Sequence, residues 1–136
     1  MTAEVKHIAL EWQQGMIFRG GAPDGPQVVI DGDNAQAPGP MLTLLLVAAS
    51  CTGCDVVLIL EKMRVGLRQL RIEVHGTRRE DPPRRYTAIR IEFHLAGDDL
   101  DESKARRAID LSLEKYCSVV ASLAPDIALS YGLTLA

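Results

Sequence analysis

The sequence predicts an α+β protein that is built around one long helix. From Pro40 to Arg64 runs the longest apolar stretch of the chain, rich in the helix formers Leu, Ala and Met. Several short segments elsewhere alternate apolar and polar residues, which is typical of strands. A second amphipathic run follows the acidic segment that begins at Asp99. With 136 residues, these elements predict a single domain over residues 1–136.

The charge and the N-terminal segment exclude several classes of partner. A net charge of −3 gives no attraction to nucleic acid or to an anionic membrane. The N-terminal segment has neither the basic nor the apolar region of a signal peptide, and the apolar run before Cys51 is too short to span a bilayer by itself. We therefore expect a cytoplasmic protein, whose cysteines are kept reduced, without a nucleic-acid or membrane partner.

The N-terminal part predicts an antiparallel meander that leads into the central helix. Short strands are expected at Lys6–Trp12, Met16–Arg19 and Gln27–Asp31, separated by turns containing Gly, Pro and Asp. Pro40 suits the first position of the helix. Because almost every residue before Cys51 is apolar, that half of the helix is expected to be buried all round, and the second half to be half-exposed.

The C-terminal part predicts a hairpin, a second helix and a last strand. The hairpin strands, Gln69–Thr77 and Tyr86–Ala96, alternate so that one face is apolar and the other charged. The second helix is expected from Leu100 to about Ala121, with Asp99 as N-cap and Glu102 completing a capping box. Asp126–Leu135 is the last strand, and all strands are expected to be antiparallel. The buried side of the second helix is expected to carry Ala105, Ile109, Leu113, Tyr116 and Val120.

Three cysteines are the candidates for chemistry, and three interpretations compete. Cys51 and Cys54 lie in the central helix and Cys117 lies near the end of the second. In the first interpretation they are buried apolar fillers, which is the default for Cys54. In the second, Cys51 and Cys54 form a CxxC metal site, although that pair falls within a helix and no second pair exists.

The third interpretation of the cysteines is thiol redox chemistry. A thiolate on one helix would attack an oxidant, and a thiol on another would resolve the sulfenic acid to a disulfide. His75 and His94 are conceivable metal partners, but they fall on the polar faces of strands, where solvated histidines are ordinary. We therefore predict no metal site.

The sequence resembles the OsmC/Ohr superfamily of organic hydroperoxide reductases, and within it the YhfA-like subgroup. Pro40–Arg64, with its Ala-Ser-Cys-Thr-Gly-Cys-Asp segment, resembles the first-cysteine helix of that family. The segment from Arg78 to Gly97 resembles its central hairpin, and the segment from Asp99 to Val119 its second-cysteine helix. The resemblance covers essentially the whole chain.

The resemblance implies an OsmC-like fold, an intertwined homodimer and a peroxidase reaction. It implies that Cys51 is peroxidatic and Cys117 resolving, so that an organic hydroperoxide is reduced to an alcohol through a Cys51 sulfenate and a Cys51–Cys117 disulfide. An external dithiol, a lipoyl group in one branch, would regenerate the thiols. No cofactor and no metal are implied.

One departure from the family leaves an alternative function open. The hydroperoxidase branches hold an activating arginine with a glutamate just after the proline of the first-cysteine helix, and here Met41 and Leu42 stand in that place. Arg19 is the candidate for the arginine, and Cys54 is an alternative resolving thiol. Without the glutamate, the chain could instead be a small-ligand-binding protein of the same fold with little turnover, or a scaffold dimer.

Overall fold

The computed structural model describes residues 2–136, and it confirms the α+β class. Contacts within the chain divide it into two compact units, one ending at Leu44 and the other spanning Leu45–Ala136. The long central helix begins in the first unit and continues in the second.

The first unit contains the predicted antiparallel meander. Its strands are β1 (Ala9–Gln14), β2 (Ile17–Gly21) and β3 (Gln27–Asp31), hydrogen-bonded in that order. β3 has the predicted bounds, whereas β1 begins three residues later than the alternation of Lys6–Trp12 indicates. β1 also contains an irregularity between Trp12 and Gln14, where the register with β2 shifts.

The central helix, α1 (Pro40–Lys62), begins where the sequence predicts. It ends two residues early, because Arg64 adopts a left-handed conformation (φ 63°) that the helix cannot continue through. The inner face of α1 is fully buried and carries small or branched residues: Leu45, Ala48, Thr52, Gly53, Val56 and Leu60. Gly53 lets the helix pack closely against Ile72, since a Cβ there would lie 3.3 Å from Ile72 Cδ1.

The outer face of α1 is apolar yet exposed within the single chain. Its exposed apolar residues include Leu42, Leu46, Val47, Val57 and Leu58. The expectation that the first half of this helix is buried all round is therefore wrong for one chain. Among the described residues, α1 is the one helix long and apolar enough to cross a membrane, a property that core helices share, so it is weak evidence for a membrane span.

The second unit contains a three-stranded sheet in the order β4-β5-β6. β4 (Gly66–Arg78) and β5 (Tyr86–Asp98) form the predicted antiparallel hairpin. β6 (Ala128–Leu135) pairs with β5 in parallel, so the expectation of an antiparallel C-terminal strand is wrong. The helical segment between β5 and β6 is a crossover, which returns the chain to the same end of the sheet and gives the two strands one direction. The residues of β5 that are buried on the inner face are Ile89, Ile91, Phe93 and Leu95.

The second helix is interrupted, unlike the continuous helix that the sequence predicts. It consists of α2 (Glu102–Leu111), a π-helical turn (Ser112–Tyr116) and the short α3 (Ser118–Ala121). The N-cap is Asp101 rather than Asp99, because Asp101 has an extended backbone and its carboxylate accepts the Lys104 N–H at 2.8 Å. Asp99 instead adopts a left-handed conformation (φ 60°) in the preceding turn.

The π-helical turn also changes which residues face inward. A π turn contains more residues than an α turn, so the positions after it rotate relative to an unbroken α-helix. Ala105 and Ile109, which precede the turn, are buried as predicted. Tyr116 was expected on the buried side but is 50% exposed, whereas the next residue, Cys117, is only 4% exposed.

Candidate thiol site

The second unit brings Cys51 and Cys117 together. Cys51 lies on α1 and is half-buried, and Cys117 lies at the break between the π-helical turn and α3 and is buried. Their thiols lie near enough for Cys51 to raise the pKa of Cys117, and both are free. Cys54 is also a free thiol, but it is exposed and lies on the outer side of α1.

The backbone break at Cys117 allows its sulfur to accept two hydrogen bonds. Cys117 has an extended conformation (φ −71°, ψ 101°) and is the N-cap of α3. Its Sγ accepts the Val120 N–H at 3.5 Å and the Thr52 hydroxyl at 3.3 Å. Thr52 is fully buried, so the hydroxyl of one cysteine-bearing helix is directed at the sulfur of the other.

The surroundings of Cys117 act on its pKa in opposite directions. Burial is the largest effect and raises the pKa of the thiol, because an anionic sulfur loses hydration there. The hydrogen bonds from Thr52 and from the Val120 N–H lower the pKa, since they stabilise the thiolate. The neighbouring Cys51 raises it, and the net pKa lies above the ordinary value for cysteine.

A second hydrogen-bonded pair joins the same two elements one turn further along α1. The Ser112 hydroxyl donates to Asp55 Oδ2 at 2.8 Å, and Ser112 is fully buried. The carbonyl oxygen of Ser112 accepts the Cys117 N–H at 2.7 Å. The backbone of Cys117 is thus tied through Ser112 to α1, the helix that carries Cys51.

A cavity of about 540 Å³ lies beside this pair, between the second half of α1 and the interrupted helix. Its wall is largely apolar and includes Leu58 and Leu111, and Lys62 and Arg107 add positive charge. Asp55 also lines it, which puts the cavity next to the hydrogen bonds that hold Cys117. The arrangement can accommodate an apolar molecule with an anionic group.

The remaining predicted site residues lie away from the thiol pair or in the other unit. Arg19 lies on β2 in the first unit, is exposed, and makes no side-chain hydrogen bond or ion pair with any residue from 2 to 136. His75 is exposed, and His94 lies 3.7 Å from Glu73 on the charged face of the second sheet. Within the described part of the chain, no three His, Cys, Asp or Glu side chains are grouped as metal ligands would be.

Sequence reasoning missed three residues of this site: Thr52, Asp55 and Ser112. The sequence patterns place each of them within a predicted element but assign it no role. A signal exists for two of them, because Thr52 and Ser112 are polar residues at positions where a helix turns its buried side inward. Their partners, however, lie 65 and 57 residues away in the chain, and only the packing of the two helices identifies them.

The fold and the site define an α+β protein in which two helical segments hold a pair of thiols close to each other. The family model described as OsmC-like protein matches residues 32–131 of this chain. The protein YhfA of Escherichia coli K12 is 40% identical over 124 residues, which are 90% of this chain and 89% of YhfA. The chain therefore belongs to the OsmC-like family.

Solved structures support the same fold. A hypothetical protein from Aquifex aeolicus VF5 is 31% identical and superposes with a TM-score of 0.88, covering 98% of both chains. The organic hydroperoxide resistance protein OhrB of Bacillus subtilis superposes with a TM-score of 0.56 at 16% identity, covering 96% of both chains. The second likeness is one of fold alone.

Proposed function

We propose that this protein is a thiol-dependent peroxidase that reduces organic hydroperoxides to alcohols in oxidative-stress defence. The observation that carries the proposal is the proximity of a half-exposed thiol, Cys51, to a buried one, Cys117. Such a pair suits an attacking and a resolving cysteine, because the first must meet the substrate and the second must meet only the first. The fold shared with proteins named for organic hydroperoxide resistance supports the substrate class.

The reaction consists of two displacements at sulfur and oxygen. The Cys51 thiolate attacks the terminal oxygen of the hydroperoxide, the O–O bond breaks, and the alkoxide takes up a proton to become the alcohol. Cys51 is then a sulfenic acid. The Cys117 thiolate attacks the Cys51 sulfur, the S–S bond forms, and hydroxide leaves and is protonated to water. An external dithiol, such as a lipoyl group, reduces the disulfide and is itself oxidised.

The chemistry needs no metal and no bound cofactor, because the electrons come from the thiols and the dithiol. We place it in the cytoplasm, where thiols are kept reduced.

We propose Arg19 as the cation that stabilises the Cys51 thiolate, since its guanidinium has no side-chain partner among the described residues. A homodimer is proposed as the working form, because it would cover the exposed apolar face of α1.

A stoichiometric oxidation tests the proposal. Reduced protein is treated with one equivalent of cumene hydroperoxide, and disulfides are mapped by mass spectrometry under non-reducing conditions. We expect a Cys51–Cys117 bond and one equivalent of cumyl alcohol. Cys51→Ser should lose both, because no other thiol has the same access and neighbour.

Cys54→Ser is the matched control, since it removes a thiol from the same helix but not from the contact. We expect it to form the Cys51–Cys117 bond as the unsubstituted protein does. If Cys51→Ser consumes the peroxide at the unsubstituted rate, the proposed function is wrong. A Cys51–Cys54 bond in place of Cys51–Cys117 would contradict the resolving role of Cys117.

A second candidate function is the binding of a small apolar or electrophilic ligand with little turnover. Two observations favour it: Met41 and Leu42 stand where the hydroperoxidase branches carry a glutamate, and a cavity lies beside the thiol site. This function predicts a peroxide rate no faster than that of a free thiol. It also predicts that an apolar carboxylate such as decanoate raises the melting temperature, because a ligand that binds the native state stabilises it.

A further inference from the structure

The side chain of Thr52 occupies an unusual position for a helical threonine. It is fully buried, and its hydroxyl donates to Cys117 Sγ at 3.3 Å. Threonine hydroxyls within helices commonly bond to a carbonyl oxygen one turn earlier on the same helix. Here the hydroxyl instead joins α1 to the segment that carries the second thiol. A buried hydroxyl costs free energy unless it is hydrogen-bonded. The hydrogen bond to Cys117 Sγ therefore offsets the cost of burying the Thr52 hydroxyl.

The place of Thr52 in the chain explains how one helix serves both thiols. Successive residues of an α-helix are rotated by about 100°, so Cys51 and Thr52 face different directions. Cys51 is half-buried and open to an approaching substrate, whereas Thr52 faces the interior, where Cys117 lies. The same turn of α1 therefore supplies both the thiol that meets the substrate and a donor to the thiol that follows it.

Two further contacts hold Cys117 in position for this donor. The Val120 N–H donates to the same sulfur at 3.5 Å, and the Cys117 N–H is held by the Ser112 carbonyl at 2.7 Å. Ser112 is in turn bonded to Asp55 on α1 at 2.8 Å. The backbone of Cys117 is thus fixed by one contact, and its sulfur by two others, in which Thr52 is the one side-chain hydroxyl among residues 2–136.

We propose that Thr52 is a functional residue of the resolving step: its hydroxyl orients Cys117 Sγ toward Cys51 and stabilises the Cys117 thiolate that attacks the Cys51 sulfenic acid. This rests on the proposed function and adds a residue to it. In the step, the electron pair of the Cys117 thiolate forms the S–S bond, and the S–O bond of the sulfenic acid breaks. Hydroxide leaves and is protonated to water, so Cys117 is oxidised and Cys51 is reduced by equal amounts.

The electrostatics of the site explain why a donor is needed. Burial raises the pKa of the Cys117 thiol and so disfavours the nucleophilic form. The titratable group that acts on Cys117 is Cys51, which also raises its pKa. The coulombic part of that influence is absent once Cys51 is a neutral sulfenic acid. The hydrogen bonds from Thr52 and the Val120 N–H then oppose burial, and Thr52 is the stronger of the two.

Single-turnover kinetics of Thr52→Val and Thr52→Ser in a Cys54→Ser background test the proposal. Valine keeps the shape of threonine without the hydroxyl, and serine keeps the hydroxyl. With one equivalent of cumene hydroperoxide, we expect Thr52→Val to form the sulfenic acid, trapped with dimedone, at nearly the unsubstituted rate. Its disulfide should form about tenfold more slowly or worse, as loss of a hydrogen bond to an anionic sulfur implies. Thr52→Ser should restore the rate of disulfide formation.

The pH dependence separates this role from a structural one. The midpoint of the rate of disulfide formation should rise in Thr52→Val and return toward the unsubstituted value in Thr52→Ser. Unchanged rates and midpoints in Thr52→Val would overturn the proposal. Equal slowing in both variants, with no shift in midpoint, would also overturn it, since only packing would then have been disturbed.

A measurement without peroxide distinguishes failure of this inference from failure of the proposed function. In a Cys51→Ser/Cys54→Ser background, the pKa of Cys117 is read from its Cβ chemical shift by NMR. We expect Thr52→Val to raise the pKa of Cys117. Thr52→Ser should leave that pKa near its value in the protein that keeps Thr52. If the unsubstituted protein forms no sulfenic acid while this rise is seen, the peroxidase function is wrong and the stabilisation of the Cys117 thiolate stands. Without the rise, the inference about Thr52 is wrong.

Discussion

The carboxylate of Asp31 organises the loop that follows β3. It is buried, and its oxygens accept the backbone N–H groups of Asp33, Ala35 and Gln36 at 2.8, 3.2 and 2.9 Å. The hydrogen bond from Gln36 is the largest cause that lowers the pKa of Asp31 below its ordinary value, followed by that from Asp33, and burial opposes them. The ionised side chain therefore stabilises the native loop that leads to α1.

We predict that Asp31→Asn makes stability less sensitive to acid. Because the native pKa of Asp31 lies below its unfolded value of about 3.9, its contribution is complete above that value. It is lost as the pH falls through the lower native pKa. In urea titrations at pH 7 and at about pH 3, the difference between the unsubstituted protein and Asp31→Asn should shrink with acid. Asp33→Asn is the control, since the Asp33 side chain is exposed, and a similar shrinkage there would contradict the prediction.

At the residue scale, the sequence identifies the thiols but not the groups around them. Cys51 and Cys117 stand out because cysteine is rare and chemically distinct, and the structure places them near each other. The donor to Cys117 could not be predicted, because Thr52 bonds across 65 residues of chain. Cys117 also lies at a break in the second helix, which the sequence pattern does not indicate. Whether Cys51, Cys117 and Arg19 have their proposed roles stays a prediction.

The elements were predictable to the extent that local patterns determine them. The alternation of β5 identifies its buried residues, and the apolar run with its proline identifies the start of α1. The π-helical turn at Ser112–Tyr116 was not predictable from the sequence. It is a single turn, so its hydrogen-bonding pattern does not recur and leaves no periodicity in the sequence. The parallel direction of β6 was also missed, since a strand's own sequence does not encode the direction of its neighbour.

Gly76 on β4 packs against the ring of Tyr86 on β5, so a larger residue at this position tests how tightly the two strands pack. A Cβ at Gly76 would lie 2.5 and 2.7 Å from two ring atoms of Tyr86, a buried residue, and 3.2 Å from Leu45 Cδ1. We predict that Gly76→Ala destabilises the protein by about 1–3 kcal/mol, the usual effect of overpacking a core. The midpoint of urea unfolding, monitored by circular dichroism, measures the change.

Gly66→Ala on the same strand is the matched control for Gly76→Ala. A Cβ there makes its nearest contact at 3.5 Å, with the side chain of Asp98, so no neighbour has to move. We expect a change within about 0.5 kcal/mol. If both variants unfold at the same urea concentration, the ring of Tyr86 does not limit the size of the residue at position 76.

At the scale of the whole molecule, the distribution of apolar surface differs from that of an ordinary monomer. The outer face of α1 exposes Leu46, Val47 and Leu58 to 56, 40 and 55%. Separately, the strands of the first unit expose Trp12 and Val28 to 65 and 59%. Large exposed apolar patches on soluble proteins mark sites of association or ligand binding. The sequence could predict that α1 is apolar all round, but not which part of it one chain leaves uncovered.

The proposed homodimer makes a prediction about this face. If a second copy covers it, a carboxylate at position 58 would be buried without a partner, which costs more than association gains. We therefore predict that Leu58→Glu shifts the protein from dimer to monomer in sedimentation equilibrium, by at least a hundredfold in dissociation constant. Ser103→Glu, which adds the same charge at an exposed position of α2, should leave the dimer intact. A dimer that survives Leu58→Glu would mean that this face is not the interface, and an unsubstituted protein that sediments as a monomer would rule out the homodimer itself.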